Sequence, residues 1–203
     1  MAADRPTLAR RARRLEYFTI AWNSLEGAIG VIAGALAGSV ALVGFGVDSA
    51  IEVGSGAAVL WRMAGDADHA TRERRERLSL RIVGLSFLLL AAYVTVGAIG
   101  HLVRHHDPSR SAAGIALTCA SIVVMPLLAR AKRRVASAMG SGALHADARQ
   151  ADFCMYLSAI VLAGLLLDAA FGWWWADPAA ALVMVPIIVS EGVRAVRGET
   201  CCD

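Results

Sequence analysis

Six long apolar stretches, separated by short polar ones, dominate the chain: Tyr17–Ala37, Val40–Trp61, Ile82–Val103, Ala112–Ala129, Phe153–Trp173 and Pro178–Val193. An α-helix needs roughly 20 apolar residues to cross a hydrocarbon core, and these stretches match that length. Leu, Ala, Val, Ile and Gly follow one another without the period-2 alternation of a barrel strand, and the stretches are too long for one, so each is expected to be helical. The pattern therefore predicts an all-α fold, an integral membrane bundle of six transmembrane helices. It divides the chain into a basic N-terminal segment (1–16), a transmembrane domain (17–193) and a short tail (194–203), with no soluble domain expected at either end.

Composition agrees with a membrane setting, since 57% of the 203 residues are hydrophobic and only 18% are charged. Arginines set the orientation. Arg10, Arg11, Arg13 and Arg14 precede the first stretch; Arg72, Arg74, Arg75, Arg77 and Arg81 separate the second and third; Arg130, Lys132, Arg133 and Arg134 separate the fourth and fifth; Arg194 and Arg197 follow the sixth. The positive-inside rule puts all four groups, and hence both termini, in the cytoplasm. Trp173, Trp174 and Trp175 suit an aromatic belt on the opposite side. The formal charge of +3 thus reports topology, and no nucleic-acid partner is expected. Asn23 and Glu26 interrupt the apolar core that a cleavable signal peptide would need, so the first span is expected to be retained. This lack of a targeting segment, with the arginine topology, fits the plasma (inner) membrane of a bacterium. Cys119 and Cys154 lie in spans and Cys201 and Cys202 in the tail, which implies no disulfide framework.

Polar residues inside the spans carry the candidate chemistry. Asp48 and Glu52 stand at i and i+4, on one face of the second span and about 6 Å apart along its axis. An acid at a helix centre costs about 2.5–3.5 kcal/mol on insertion scales, so something must offset the pair. With no Lys, Arg or His in the central part of any span so drawn, a cation from outside the chain is the expected partner; protonation is the other escape and would let protons compete with metal. Glu26 and Asn23 lie one turn apart on the first span, and Glu26 is a candidate to complete the site. Gln150 and Cys154 repeat the i, i+4 spacing on the fifth span, with Cys154 a thiolate ligand once metal displaces its proton. For Gly30 and Gly34, a G-x-x-x-G pair, and for Gly44, Gly46, Gly54 and Gly56, close helix packing is the better explanation.

Three motifs resemble the cation diffusion facilitator family: Gly38–Glu52 (GSVALVGFGVDSAIE) its second-helix motif, Ala146–Cys154 (ADARQADFC) its fifth-helix motif, and Gly172–Pro178 (GWWWADP) the approach to its sixth helix. The resemblance implies a six-helix domain that binds Zn²⁺ or a similar ion between the second and fifth helices, through Asp48, Glu52, Gln150 and Cys154. The family usually has His or Asp, and then Asp, where Gln150 and Cys154 stand, which opens the question of which metal is carried. Without the cytoplasmic metal-binding domain of most members, the chain looks like a short branch similar to the transmembrane protein 163 group of zinc transporters. The resemblance also implies a homodimer held by its membrane helices. Asp152 competes for the fifth-helix role; it lies roughly 200° around the helix from Gln150 and Cys154, so pairing with Arg149 or another basic residue suits it better.

Weaker candidates are Asp66, Asp68 and His69 in one loop, His105, His106 and Asp107 in another, and Cys201 and Cys202. The expected function is transport of divalent metal, Zn²⁺ first, with Cd²⁺, Co²⁺, Fe²⁺ or Mn²⁺ as other cargoes, by proton-coupled efflux from the cytoplasm through the lipid bilayer. A membrane protein that binds or senses metal without moving it, and a structural scaffold, are the rivals. No H-E-x-x-H, G-x-S-x-G or P-loop occurs, so neither a catalytic residue nor a bound cofactor is expected.

Overall fold

A computed structural model describes residues 5–64 and 69–197. Asp66, Asp68, Cys201 and Cys202 lie outside the described residues, as does the side chain of His69. The described residues form six helices: α1 (Arg5–Ala37), α2 (Val40–Ala64), α3 (His69–Arg104), α4 (Ala112–Met139), α5 (Gly142–Phe171) and α6 (Ala176–Arg197). All six are long and apolar enough to cross a membrane. There are no strands among the described residues.

The helices outrun the apolar stretches, chiefly at the arginine-rich end. α1 is helical from Arg5, so Arg10 to Arg14 sit on its first turns, and α4 continues past Ala129 through Arg130 to Arg134. Charge does not stop a helix; a change of backbone does. α4 ends where Gly140 takes a left-handed conformation (φ 63°), and Ser141 then caps α5 by accepting from the Leu144 amide at 3.4 Å. Gly172 (φ 66°) ends α5 in the same way, so Trp173 falls just outside the helix. Trp173 and Trp175 stack at 5.1 Å at this opposite end of the bundle, exposed as a belt residue would be.

The turn between α1 and α2 is a junction of three helices. Ser39 accepts from the Leu42 amide at 3.0 Å and donates its own hydroxyl hydrogen to Asp177, while the other Asp177 oxygen accepts from the Val40 amide at 3.0 Å. The start of α6 thereby caps the start of α2. A buried carboxylate satisfied by backbone and hydroxyl donors explains the Asp177 of the GWWWADP motif.

α1, α2, α4 and α5 pack against one another, and α6 packs chiefly on α3. Small residues permit the closest approaches: a methyl group at Gly30 would lie 2.9 Å from the Gly46 Cα, and one at Gly84 would lie 2.7 Å from the Gly192 carbonyl oxygen. Leu42, Phe45, Met125, Leu157, Met184 and Ile188 fill the centre. Leu36, Leu89, Val96 and Val123 point outward, as residues facing lipid tails do.

Candidate metal site

Asp48 and Glu52 occupy successive turns of α2, both 3% exposed, and α5 brings the fully buried Cys154 opposite them. One ligating atom from each of the three lies within 4.8 Å of the others. No other such trio of His, Cys, Asp or Glu occurs among the described residues. Two carboxylates and a thiol that converge this closely match the oxygen and sulfur donors of a borderline divalent cation, with a separation that a bound ion would tighten.

Neighbouring helices hold these groups through hydrogen bonds. Asn23 of α1 donates its amide to one Glu52 oxygen at 2.6 Å, which fixes the carboxylate without neutralising it. The other Glu52 oxygen is buried and has no hydrogen-bond partner. Such an orphan costs about 1–3 kcal/mol or more, so a cation there would meet an acceptor that protein leaves free. Glu26 stands behind Cys154, accepting from its thiol at 3.6 Å and from the Ser49 hydroxyl at 3.1 Å. It is thus one contact removed from the trio, placed to orient Cys154. Gln150 lines a small cavity with Asp48, Glu52, Phe87, Phe153 and Glu191, and its amide nitrogen has no partner. Sequence reasoning passed over Glu191, which sits among Ser, Val and Arg near the end of α6, where only the packing of α6 on α5 reveals its direction.

A second group of buried polar residues lies on α1, α4 and α5. The Lys132 ammonium donates to Glu16 at 3.2 Å and to Asp147, and all three side chains are almost fully buried. Lys132 was expected in a polar connection; the continuation of α4 turns it inward instead, where two acids hold it. Its charge reaches Glu52 only through space. No Lys, Arg or His among the described residues forms an ion pair with Asp48, Glu52 or Glu26.

Asp152 pairs with Arg133 of α4 on a partly exposed face, away from Cys154. The partner is Arg133 rather than the Arg149 named from the sequence. His105 and His106 are exposed, the first against Trp174 (4.8 Å between rings) and the second against His101 (4.4 Å), and they join no three-ligand group. Cys119 is exposed on α4 and joins no three-ligand group.

Comparison with known proteins adds to this geometry. The chain is 26% identical over 154 residues to the uncharacterized transporter sll1263 of Synechocystis sp. (strain ATCC 27184 / PCC 6803 / Kazusa), an alignment that covers 73% of this chain and 50% of that protein. The chain thus spans about half the length of that relative. Residues 17–199 match the cation efflux transmembrane domain, and these include α1 from Tyr17 onward, the whole of α2 to α6 and every member of the trio. A multi-pass helical bundle with converging buried acids, matched over nearly its whole length, belongs to the cation efflux family.

Proposed function

We propose that the protein transports divalent metal cations across the membrane, with Zn²⁺ as the first cargo and Asp48, Glu52 and Cys154 as its principal ligands. The observation that carries this reading is the convergence of three ligating groups within 4.8 Å, buried in the bundle and without an ion-pair partner among the described residues. Gln150, from the same cavity wall, is the fourth donor, and Glu26 supports Cys154 from behind. Oxygen and sulfur donors together suit Zn²⁺ and Cd²⁺ best, with Co²⁺, Fe²⁺ and Mn²⁺ following as oxygen donors come to dominate.

The transport cycle is proton-coupled efflux by alternating access. The cation loads from the cytoplasmic, arginine-rich face and displaces protons from the carboxylates and the thiol; the bundle rearranges, and protons arriving from the other side replace it. Binding weakens as pH falls, because each ligand must be deprotonated to hold metal. The protein functions in the plasma membrane as a homodimer whose helices supply the interface.

The test is Zn²⁺ flux in proteoliposomes made with the purified chain. Flux that depends on a pH gradient and vanishes in Asp48→Ala is the expected result. Normal transport by Asp48→Ala would refute the site, and Zn²⁺ binding without flux would make the protein a store or sensor.

A further inference from the structure

The cavity beside Asp48 and Glu52 has a polar wall that α2 and α5 do not supply. Ile187, Ile188 and Glu191 of α6 close it, and Glu191 is the ionisable member of the three. Its side chain is 23% exposed, whereas Asp48 and Glu52 are each 3% exposed, so carboxylates run from a partly wet position into the dry interior. At the inner end Glu52 keeps one oxygen buried and unpartnered among the described residues. It is an acceptor that protein has left for something else to bind.

Glu191 is lightly held. Arg194, one turn further along α6, donates to it at 3.2 Å, and that arginine is 56% exposed. Arg149 of α5 adds positive charge from the facing helix. Exposed ion pairs of this kind are weak and screened by salt, so a divalent cation can take the carboxylate from its arginine. A carboxylate fully committed within the protein, such as Asp147 on Lys132, offers no such exchange.

We propose that Glu191 is the loading carboxylate of the transport site. It draws a divalent cation away from the arginine-rich surface, releases Arg194, and passes the ion inward to Asp48 and Glu52. No covalent bond is made or broken: the metal takes the place of the guanidinium at Glu191, which swings to solvent, and Arg194 returns when the metal moves inward. This assignment rests on the transport site proposed above. It also gives α6 a part in metal handling, although α6 packs chiefly on α3 and contributes no member of the trio.

The experiment compares Glu191→Gln, Glu191→Asp, Arg194→Gln and Asp48→Asn in proteoliposomes, with Zn²⁺ flux and equilibrium Zn²⁺ binding as readouts. Glu191→Gln should raise KM about tenfold, the scale of outer-ligand losses, with the maximal rate and the amount of Zn²⁺ bound at saturation kept. Glu191→Asp, which keeps the charge, should stay near wild type; Arg194→Gln should hold KM level or lower it. Asp48→Asn should lose binding altogether. A wild-type KM in Glu191→Gln beside a dead Asp48→Asn overturns the loading role and leaves the transport site standing. An equal rise of KM in Glu191→Gln and Arg194→Gln overturns it too, because the pair would then be only structural. Failure of Glu191→Asp to preserve KM has the same consequence. Unaltered transport in Asp48→Asn would instead remove the site on which the assignment rests.

Discussion

Two groups of buried acids lie within the helical bundle, and they differ in what balances them. Glu16 and Asp147 share the Lys132 ammonium, a counterion built into the chain. Asp48, Glu52 and Glu26 are buried to the same degree but have no ion-pair partner among the described residues; Glu52 and Glu26 take hydrogen bonds from amide, hydroxyl and thiol groups instead. Burial alone therefore does not mark a functional acid. A carboxylate with its own lysine fixes three helices together, whereas one with neither a lysine nor a full set of hydrogen bonds leaves charge for a cation to balance. Asp177 is a third case, a buried acid held by the Val40 amide and the Ser39 hydroxyl, with capping as its use.

If this contrast is right, the two groups should respond oppositely to loss of charge. The largest effect is expected at the uncompensated group: Asp48→Ala or Glu52→Ala should cut Zn²⁺ flux by about 100-fold or more, beyond what loss of a supporting residue costs. The metal-free Asp48→Asn protein should nevertheless melt at or above the wild-type temperature in detergent, since an unpaired buried charge has gone. Lys132→Met should instead destabilise the fold by about 3–5 kcal/mol, by stranding Glu16 and Asp147, and Glu16→Gln with Asp147→Asn in the same chain should restore much of the loss. Denaturant unfolding in detergent checks this pair. A Lys132→Met protein of wild-type stability but without flux would break the contrast, because the triad would then take part in transport.

Smaller effects sharpen the comparison. Zn²⁺ at 100 times its dissociation constant should stabilise the wild type by about 2.7 kcal/mol and leave Asp48→Asn unmoved, with the increment shrinking as pH is lowered. Cys154→Ser should shift competition between Cd²⁺ and Mn²⁺ about tenfold toward Mn²⁺, as a soft donor gives way to a hard one. Asp152→Asn removes a pair whose side chains are 39% and 29% exposed, and should change stability by only about 0–1 kcal/mol. A large loss of metal affinity in that variant would return Asp152 to the list of ligands.

How far the site could be read in advance depended on whether its parts share a helix. Asp48 and Glu52 are four residues apart on α2, so the 3.6-residue repeat alone puts them on one face. Gln150 and Cys154 follow the same rule on α5. The register of α5 against α2 was another matter, and it sets Cys154, rather than Asp152, opposite the acids. By polarity Lys132 reads as exposed, as its neighbours Arg130 and Arg134 are, yet it is buried. Only the side of α4 that meets α1 and α5 distinguishes it from them. Glu191 offered no sign at all, since an acid three residues before an arginine on a terminal turn reads as an ordinary surface pair.

The sequence by itself determined that the chain folds as six membrane-crossing helices and that charge is buried in the second, because apolar length and helical period are local properties. Tertiary structure decided which buried charges are balanced. Contacts form between residues far apart in the chain, the Glu16–Lys132 ion pair and the approach of Asp48 to Cys154, and no local pattern encodes whether a lysine or an open cavity will face a given carboxylate.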